Sequence, residues 1–442
     1  MKYTNQEYEE LRAKARLHEL AFRIRSGFRA FTHSPIPWLW SAVYWLMFLL
    51  LPRVLTTAIG LGSLGAKLLS VVFVLAFPLF FTLYLALVAL SATPRRAWAI
   101  TDAFLRTGLV NRAGEPPFVV ETSRNHIVVR TNGISLAEFD DYRDKLESAL
   151  NVRITRLEEG KDKQHIVLHT APGSTRLPTN VPMAKDKLPE GASILSLGES
   201  LDGPVNVDLS IMPHMLIGGS TGSGKTYLVL SLILQAIMKG YQVYILDMKG
   251  GVDYPPAWKG DLCSYFDDRK LILSCLSMLV KELENRKAIF QCPGNGGGKP
   301  CANIDVYNRY NPSDLMPRIL VVCDELAEIT DTTGLDKPNK ELVNAIVGKL
   351  GTLARLGRAF GLHLVMATQR PDANVVPGQI KNNADIKICG RADIILSTII
   401  LDNGDAANLP KDIPGRFLCN LNGGTTFQGY TLPDLDDDNT GG

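Results

Sequence analysis

Cysteine is absent from the first 262 residues of this 442-residue chain, and all seven that occur lie at or beyond Cys263. None of them forms a C-x-x-C pair. Cys292 and Cys301 flank Pro-Gly-Asn-Gly-Gly-Gly-Lys-Pro, but no second ligand pair stands nearby to complete a four-coordinate zinc site. Free thiols in a reducing cytoplasm are expected, with a mobile Gly-rich loop between those two. Net charge is scarce as well. At +2 it announces no nucleic-acid partner, so any basic surface has to be local. The apolar runs that follow are not expected to be a signal peptide, because a long polar segment precedes them and no small-residue cleavage pattern stands out.

Charge is wholly lacking from two long stretches. Ile36 to Pro52 is 17 residues without a charge and holds Trp38, Trp40, Tyr44 and Trp45; Leu68 to Ala92 is 25 more. Runs of this length read as transmembrane helices, the first at the short limit. Arg53 and Lys67 are the only charges between them, whereas Arg23, Arg25 and Arg29 precede and Arg95 and Arg96 follow. The positive-inside rule then puts both termini in the cytoplasm of a multi-pass protein of the cell membrane. Before the first run, Leu17, Leu20, Ile24, Phe28 and Phe31 recur at spacings of three and four among six basic residues. That is a basic amphipathic helix, lying either on the anionic membrane surface or on a neighbouring subunit.

The remaining segments follow from composition. Residues 1–35 form the basic helix and 36–92 the two-helix anchor with its short external loop. Residues 93–190 form a small α+β adapter and linker, 191–433 a motor, and 434–442 an acidic, solvated tail. In the adapter, Phe118–Glu121 with His126–Arg130 and Val152–Leu157 with His165–His169 read as two hairpins. Leu136 to Leu150 reads as one amphipathic helix. His165 and His169 share a strand face without a third ligand, so surface histidines are expected there. Pro172 to Pro189 carries four prolines and reads as linker.

The chemistry begins at residue 214. An apolar run, Met215-Leu216-Ile217, enters Gly219-Ser220-Thr221-Gly222-Ser223-Gly224-Lys225-Thr226, and a helical pattern from Tyr227 follows. Strand, G-x-x-x-x-G-K-T, helix is the context that confirms a phosphate-binding Walker A loop. Its backbone N–H groups and the helix N-terminus would cradle the phosphates of ATP. Lys225 would reach the β- and γ-phosphates, and the Thr226 hydroxyl would join the Mg²⁺ shell. Later, Ile319-Leu-Val-Val-Cys323 reads as a buried strand capped by Asp324-Glu325, a Walker B pattern. Asp324 would hold Mg²⁺ and Glu325 would orient or deprotonate the attacking water. The two Walker motifs are expected at the ends of adjacent strands. Leu362 to Ala367 is another buried strand, after which the Gln369 amide would face γ-phosphate and water. Strands alternating with helices predict a mainly parallel α/β sheet with ligands at the strand C-terminal ends.

Three strings carry a resemblance. Pro213-His214 precedes the Walker A strand, Val322-Cys-Asp-Glu-Leu-Ala327 contains Walker B, and Leu353-Ala-Arg-Leu-Gly-Arg-Ala-Phe-Gly-Leu-His-Leu-Val-Met-Ala-Thr-Gln-Arg-Pro371 is the most specific. Over roughly residues 194–430 the chain resembles the FtsK/SpoIIIE family of DNA-pumping ATPases. The resemblance implies a RecA-like P-loop motor that closes into a homo-hexameric ring around DNA. It makes Arg358 an arginine finger toward a neighbour's nucleotide, and Arg370 and Lys381 basic contacts on a DNA-touching loop. The helix after the Lys387 strand departs from the family, reading Ile394-Ile-Leu-Ser-Thr-Ile-Ile-Leu401 where basic residues are usual; Arg391 is the nearest substitute. One motor, a two-helix anchor and no sequence-reading domain resemble the coupling proteins of Gram-positive conjugative elements. These would act with a relaxase and secretion-channel components. A chromosome-partitioning translocase is the alternative within the class. A protein-secretion ATPase and a non-hydrolysing membrane scaffold are the alternatives outside it, and Glu325 argues against the scaffold.

Overall fold

The computed structural model describes residues 9–17, 20–21, 97–260, 262–370 and 377–432, together with isolated positions between 43 and 75. The two apolar runs at 36–52 and 68–92 lie outside the described residues save for such isolated positions, and the acidic tail lies outside them entirely. Among the described residues no helix is long and apolar enough to cross a membrane. The chain divides into two compact units, 1–175 and 176–442.

In the first unit, β1 (Phe118–Thr122), β2 (His126–Arg130), β3 (Val152–Glu159) and β4 (His165–Pro172) form an antiparallel sheet of order β1-β2-β4-β3. The two expected hairpins are therefore joined through β2 and β4, with His126 opposite His169. Alternate residues of β2 and β4 are buried, and Val129 and Leu168 meet Phe104, Phe139 and Leu146 in one core. The expected single helix from Leu136 to Leu150 is broken at Tyr142 into Leu136–Asp141 and Arg143–Leu150. Spacings of three and four survive such a break, so the apolar pattern alone does not reveal it. His165 lies 2.6 Å from Asp162 and His169 2.8 Å from Glu158. Among the described residues no cluster of three ligand-type side chains suits a metal. Ahead of this module residues 9–17 are helical, and Arg12 pairs with Asp102 at 3.1 Å.

The second unit is a ten-stranded sheet. Its parallel half comprises β7 (His214–Gly218), β8 (Gln242–Leu246), β9 (Cys263–Phe266), β10 (Ile319–Cys323), β11 (Leu362–Thr368) and β12 (Ile386–Gly390), in the order β12-β7-β11-β10-β8-β9. Every residue of β7, β10 and β11 is buried, as continuous apolar runs covered on both faces require. An antiparallel extension continues from β12 through β13 (Arg416–Cys419), β14 (Thr425–Gly429), β5 (Ile194–Ser200) and β6 (Gly203–Asp208). Two apolar layers flank the sheet. One is built on the Lys225–Met238 helix, the other on Arg269–Gln291 and Lys337–Leu356.

Three expectations need correction. The Walker A strand β7 and the Walker B strand β10 are not adjacent, because β11 runs between them. The segment 172–189 is not linker throughout. Val181 and Met183 are buried on Tyr430, and Met183 N–H donates to the Thr431 carbonyl at 2.7 Å. The stretch between Cys292 and Cys301 folds as a hydrogen-bonded turn, not as an open loop. Cys301 N–H donates to Phe290 at 2.8 Å and the Asn295 amide to Ile289 at 2.9 Å. All seven cysteines are free thiols.

Candidate nucleotide site

The parallel register brings the predicted residues to one edge. Thr368 of β11 stands beside Gly218 of β7, and Cys323 of β10 beside Met366, so all three strands end together. Their C-terminal extensions are the Walker A loop, Gln369, and Asp324-Glu325. Because β11 is the middle strand, Gln369 lies between the two Walker motifs. Its side-chain carbonyl accepts from the Thr221 hydroxyl at 2.9 Å.

The loop is tightly pinned. Gly224 has φ +93°, and a Cβ there would stand 2.4 Å from the backbone nitrogen of Gly415. Only glycine fits that close approach. Ser220 N–H donates to the Arg391 carbonyl at 2.9 Å, and Gly415 N–H donates to Ser223 at 2.8 Å. Arg391 therefore supports the loop through its backbone. Helix Lys225–Met238 starts directly from the loop, with Lys225 buried and Thr226 half-buried in its first turn.

Glu325 is buried and firmly held. Its carboxylate accepts from the Thr368 hydroxyl at 2.8 Å and from Gln369 N–H at 3.0 Å, and the Lys225 ammonium lies 3.5 Å away. Asp324, also buried, lies 3.7 Å from the Lys249 ammonium. Burial raises the Asp324 carboxyl above the usual carboxylate range, against the pull of Lys225 and Lys249. Burial lowers the Lys225 ammonium, against Glu325 and Asp324. At this edge, among the described residues, three buried polar atoms have no hydrogen-bond partner: Lys225 Nζ, Ser223 Oγ and Asp324 Oδ1. Such atoms are costly unless a ligand satisfies them. Two face the phosphate loop and one is a carboxylate oxygen, so the donor set fits a nucleotide phosphate and a divalent cation. ATP and Mg²⁺ suit this edge.

The other predicted residues lie elsewhere. Arg358 sits in the Gly357–Phe360 turn before β11, at the opposite end of that strand from the phosphate loop. Seven extended residues separate the two ends, about 20 Å at 3.3 Å per residue. Its Nε donates to the Ser210 carbonyl at 2.8 Å. Arg370 pairs with Asp331 at 3.3 Å, and Lys381 with Asp402 at 2.8 Å. Between them, 371–376 lie outside the described residues. Sequence reading missed Thr368, Lys249 and Asp402 as partners. Lys249 was visible as a lysine three residues past the end of β8, after Asp247-Met248. Asp402, which also accepts from Lys387 at 2.6 Å, gave no signal because its partners lie 15 and 21 residues away.

Comparison with known proteins accords with this geometry. The FtsK/SpoIIIE family profile matches residues 185–373. The DNA translocase FtsK of Helicobacter pylori is 34% identical over 229 residues, which are 49% of this chain and 24% of that protein. The DNA translocase SpoIIIE of Bacillus subtilis is 27% identical over 324 residues, 65% of this chain and 39% of that protein. The chain thus spans about a quarter to two-fifths of the length of these curated relatives. Among solved structures, the pCW3 conjugation coupling protein TcpA, in its monomer form with ATPγS, superposes with a TM-score of 0.56 at 30% identity. That likeness covers 77% of this chain and 96% of TcpA.

Proposed function

The chain belongs to the FtsK/SpoIIIE family of P-loop ATPases, and from that footing we propose that it is a membrane-anchored, ATP-driven DNA translocase. In this reading it acts as a conjugative coupling protein that passes DNA, with its relaxase, to a type IV secretion-like channel. The observation that carries the choice is the likeness to a conjugation coupling protein across 96% of that chain. Removing the gene from a host that carries its element should abolish transfer of the element and leave chromosome partition normal. Normal transfer with trapped or lagging chromosomes would instead favour a chromosome-partitioning translocase, the reading supported by the likeness to FtsK and SpoIIIE.

The ATPase chemistry follows from the edge of the sheet. The loop from Gly219 to Thr226 holds the phosphates by its N–H groups, with Lys225 on the outer two. Thr226 and Asp324 would hold the Mg²⁺ shell, and the ion would supply positive charge to offset that of the phosphates. As the Lys225 ammonium turns to phosphate, Glu325 loses one of its contacts while Thr368 and Gln369 N–H still orient it. Oε2, freed of the ammonium but still held by Gln369 N–H, then faces the attacking water and takes its proton. The Gln369 amide, now bonded to Thr221, orients the γ-phosphate and that water. Arg358 is too far from its own loop and serves the next subunit of a homo-hexameric ring.

The charge-free runs at 36–52 and 68–92 support a two-helix anchor with both termini in the cytoplasm. A tag near Gly62 should then be cut by external protease in intact cells while terminal tags survive. Cleavage of a C-terminal tag would overturn this topology.

DNA contact is assigned to Arg370 and Lys381, with Arg391 as a further candidate. Their pairs with Asp331 and Asp402 are exposed and weak, so DNA phosphates can displace those carboxylates. The Arg370→Ala, Lys381→Ala double variant should bind all DNA sequences more weakly. The slope of log K against log salt should shrink by roughly two, about one per lost phosphate contact. Stimulation of hydrolysis by DNA should fall while basal hydrolysis persists. An unchanged salt slope and unchanged stimulation would take this loop out of the DNA path.

A further inference from the structure

Helix Arg269–Gln291 buries an apolar stripe of Ile272, Leu276, Leu279, Leu283 and Phe290, and one member of that stripe is an arginine. Arg286 falls three residues after Leu283 and four before Phe290, where the pattern calls for an aliphatic side chain. It is only 2% exposed. A guanidinium buried to that degree must be bonded, and a hydrophobic side chain of similar volume would often be no less stable there. Such a break in local consistency points to function.

The partners of Arg286 say which function. Its Nε donates to Glu282, one turn back, at 2.8 Å, and its Nη1 donates to the carbonyl of Phe360 at 2.8 Å. Phe360 closes the Gly357–Phe360 turn that carries Arg358. One turn along the same helix, the Phe290 ring packs against the Phe360 ring with centroids 5.4 Å apart. The turn is fixed at both ends as well. A Cβ on Gly357 would stand 2.6 Å from the Leu362 carbonyl oxygen. Gly361 has φ +73°, and a Cβ there would meet Ile304 at 2.6 Å. A short turn held at both ends by tight packing and at Phe360 by one buried charge fixes the backbone from which the Arg358 side chain extends.

We propose that Arg286 is a positioning residue for Arg358, fixing the turn from which Arg358 reaches the phosphates bound by a neighbouring copy of the chain. The inference rests on the reading of Arg358 as acting in trans. Arg286 touches no nucleotide. It acts by holding the Phe360 carbonyl, and Glu282 orients it for that task.

The test uses the full chain with Arg286→Met, which keeps the volume and deletes both donors. A displacement of about 1 Å at a catalytic group can cost on the order of 10²-fold. Steady-state kcat should therefore fall roughly 10- to 100-fold, with KM and ATPγS binding nearly unchanged. Two further readouts separate positioning from stability. Mixing Arg286→Met subunits with Lys225→Ala subunits should restore hydrolysis, because the Lys225→Ala subunit offers an intact Arg358 edge to a working phosphate loop. Adding Arg286→Met to Arg358→Ala should cost nothing more. If Arg286→Met folds poorly, Glu282→Gln applies the same readouts at a half-buried position, with a smaller loss in the same direction. Hydrolysis at the parental rate, or a further loss in the double variant, would overturn the proposal. Recovery of Arg358→Ala in mixtures without recovery of Arg286→Met would overturn this inference alone. If Arg358→Ala itself does not recover, the in-trans reading fails and this inference fails with it.

Discussion

Glu325→Gln should bind ATP as tightly as the parent and turn it over roughly 10²- to 10⁴-fold more slowly, the range that a positioned general base contributes. The substitution keeps the shape and the ability to accept from Thr368, so the pocket should survive. What it removes is the negative charge beside Lys225 and the capacity to take a proton from water. Lys225→Ala is the contrasting variant. Its buried ammonium is the positive group aimed at the phosphates, and no hydrogen bond satisfies it until they arrive. Binding of ATPγS should fall to background in Lys225→Ala, so that no turnover can be measured at all. Isothermal titration with ATPγS and a coupled phosphate assay separate the two variants. Parental hydrolysis in Glu325→Gln would remove Glu325 as the base and leave water positioning to Gln369.

Arg358→Ala should also lose hydrolysis, by the 10³- to 10⁵-fold that arginine fingers supply in other nucleotide hydrolases, while binding ATP normally. The reason is the length of a strand. With the arginine at one end of β11 and the phosphate loop at the other, about 20 Å apart, no rotamer brings them together within a single chain. The loss must therefore be mutual between subunits. Mixtures of Arg358→Ala with Lys225→Ala should regain activity at those interfaces where one subunit lends the arginine and the other the loop. Activity that rises linearly from zero with the fraction of parental protein, and never in a mixture of the two variants, would place the catalytic arginine elsewhere.

The residues that act within one edge of the sheet were legible from their spacing. A strand, a Gly-rich loop with Lys225-Thr226 and a helix can only place the lysine at the loop's mouth. An acidic pair after five apolar residues can only lie at a strand's end. Both are local facts, because backbone geometry fixes where the next few side chains point. The same locality gave the amphipathic β2 and β4 and the buried β10 and β11. What is local can also mislead. The spacing from Leu136 to Leu150 fits one helix as well as the two that Tyr142 divides, and the short strands β9 and β14 carried too little pattern to stand out.

The order of strands was not legible, and it decided the site. Sequence order suggested Walker A and Walker B side by side; hydrogen bonding puts β11 between them, which sets Gln369 at the centre and lets Thr368 and Gln369 hold Glu325. Pairing of distant strands depends on which apolar faces can be buried together, and no window of sequence contains that information. The same holds for Arg286, which read as one more charge on a long helix. Only tertiary packing turned it inward, 74 residues from the Phe360 carbonyl it bonds. The amino-acid sequence by itself determined the nucleotide chemistry, because that depends on neighbours in the chain. The tertiary structure alone decided which strand stands between the Walker motifs and what holds the arginine turn, because those depend on contacts made only when the core closes.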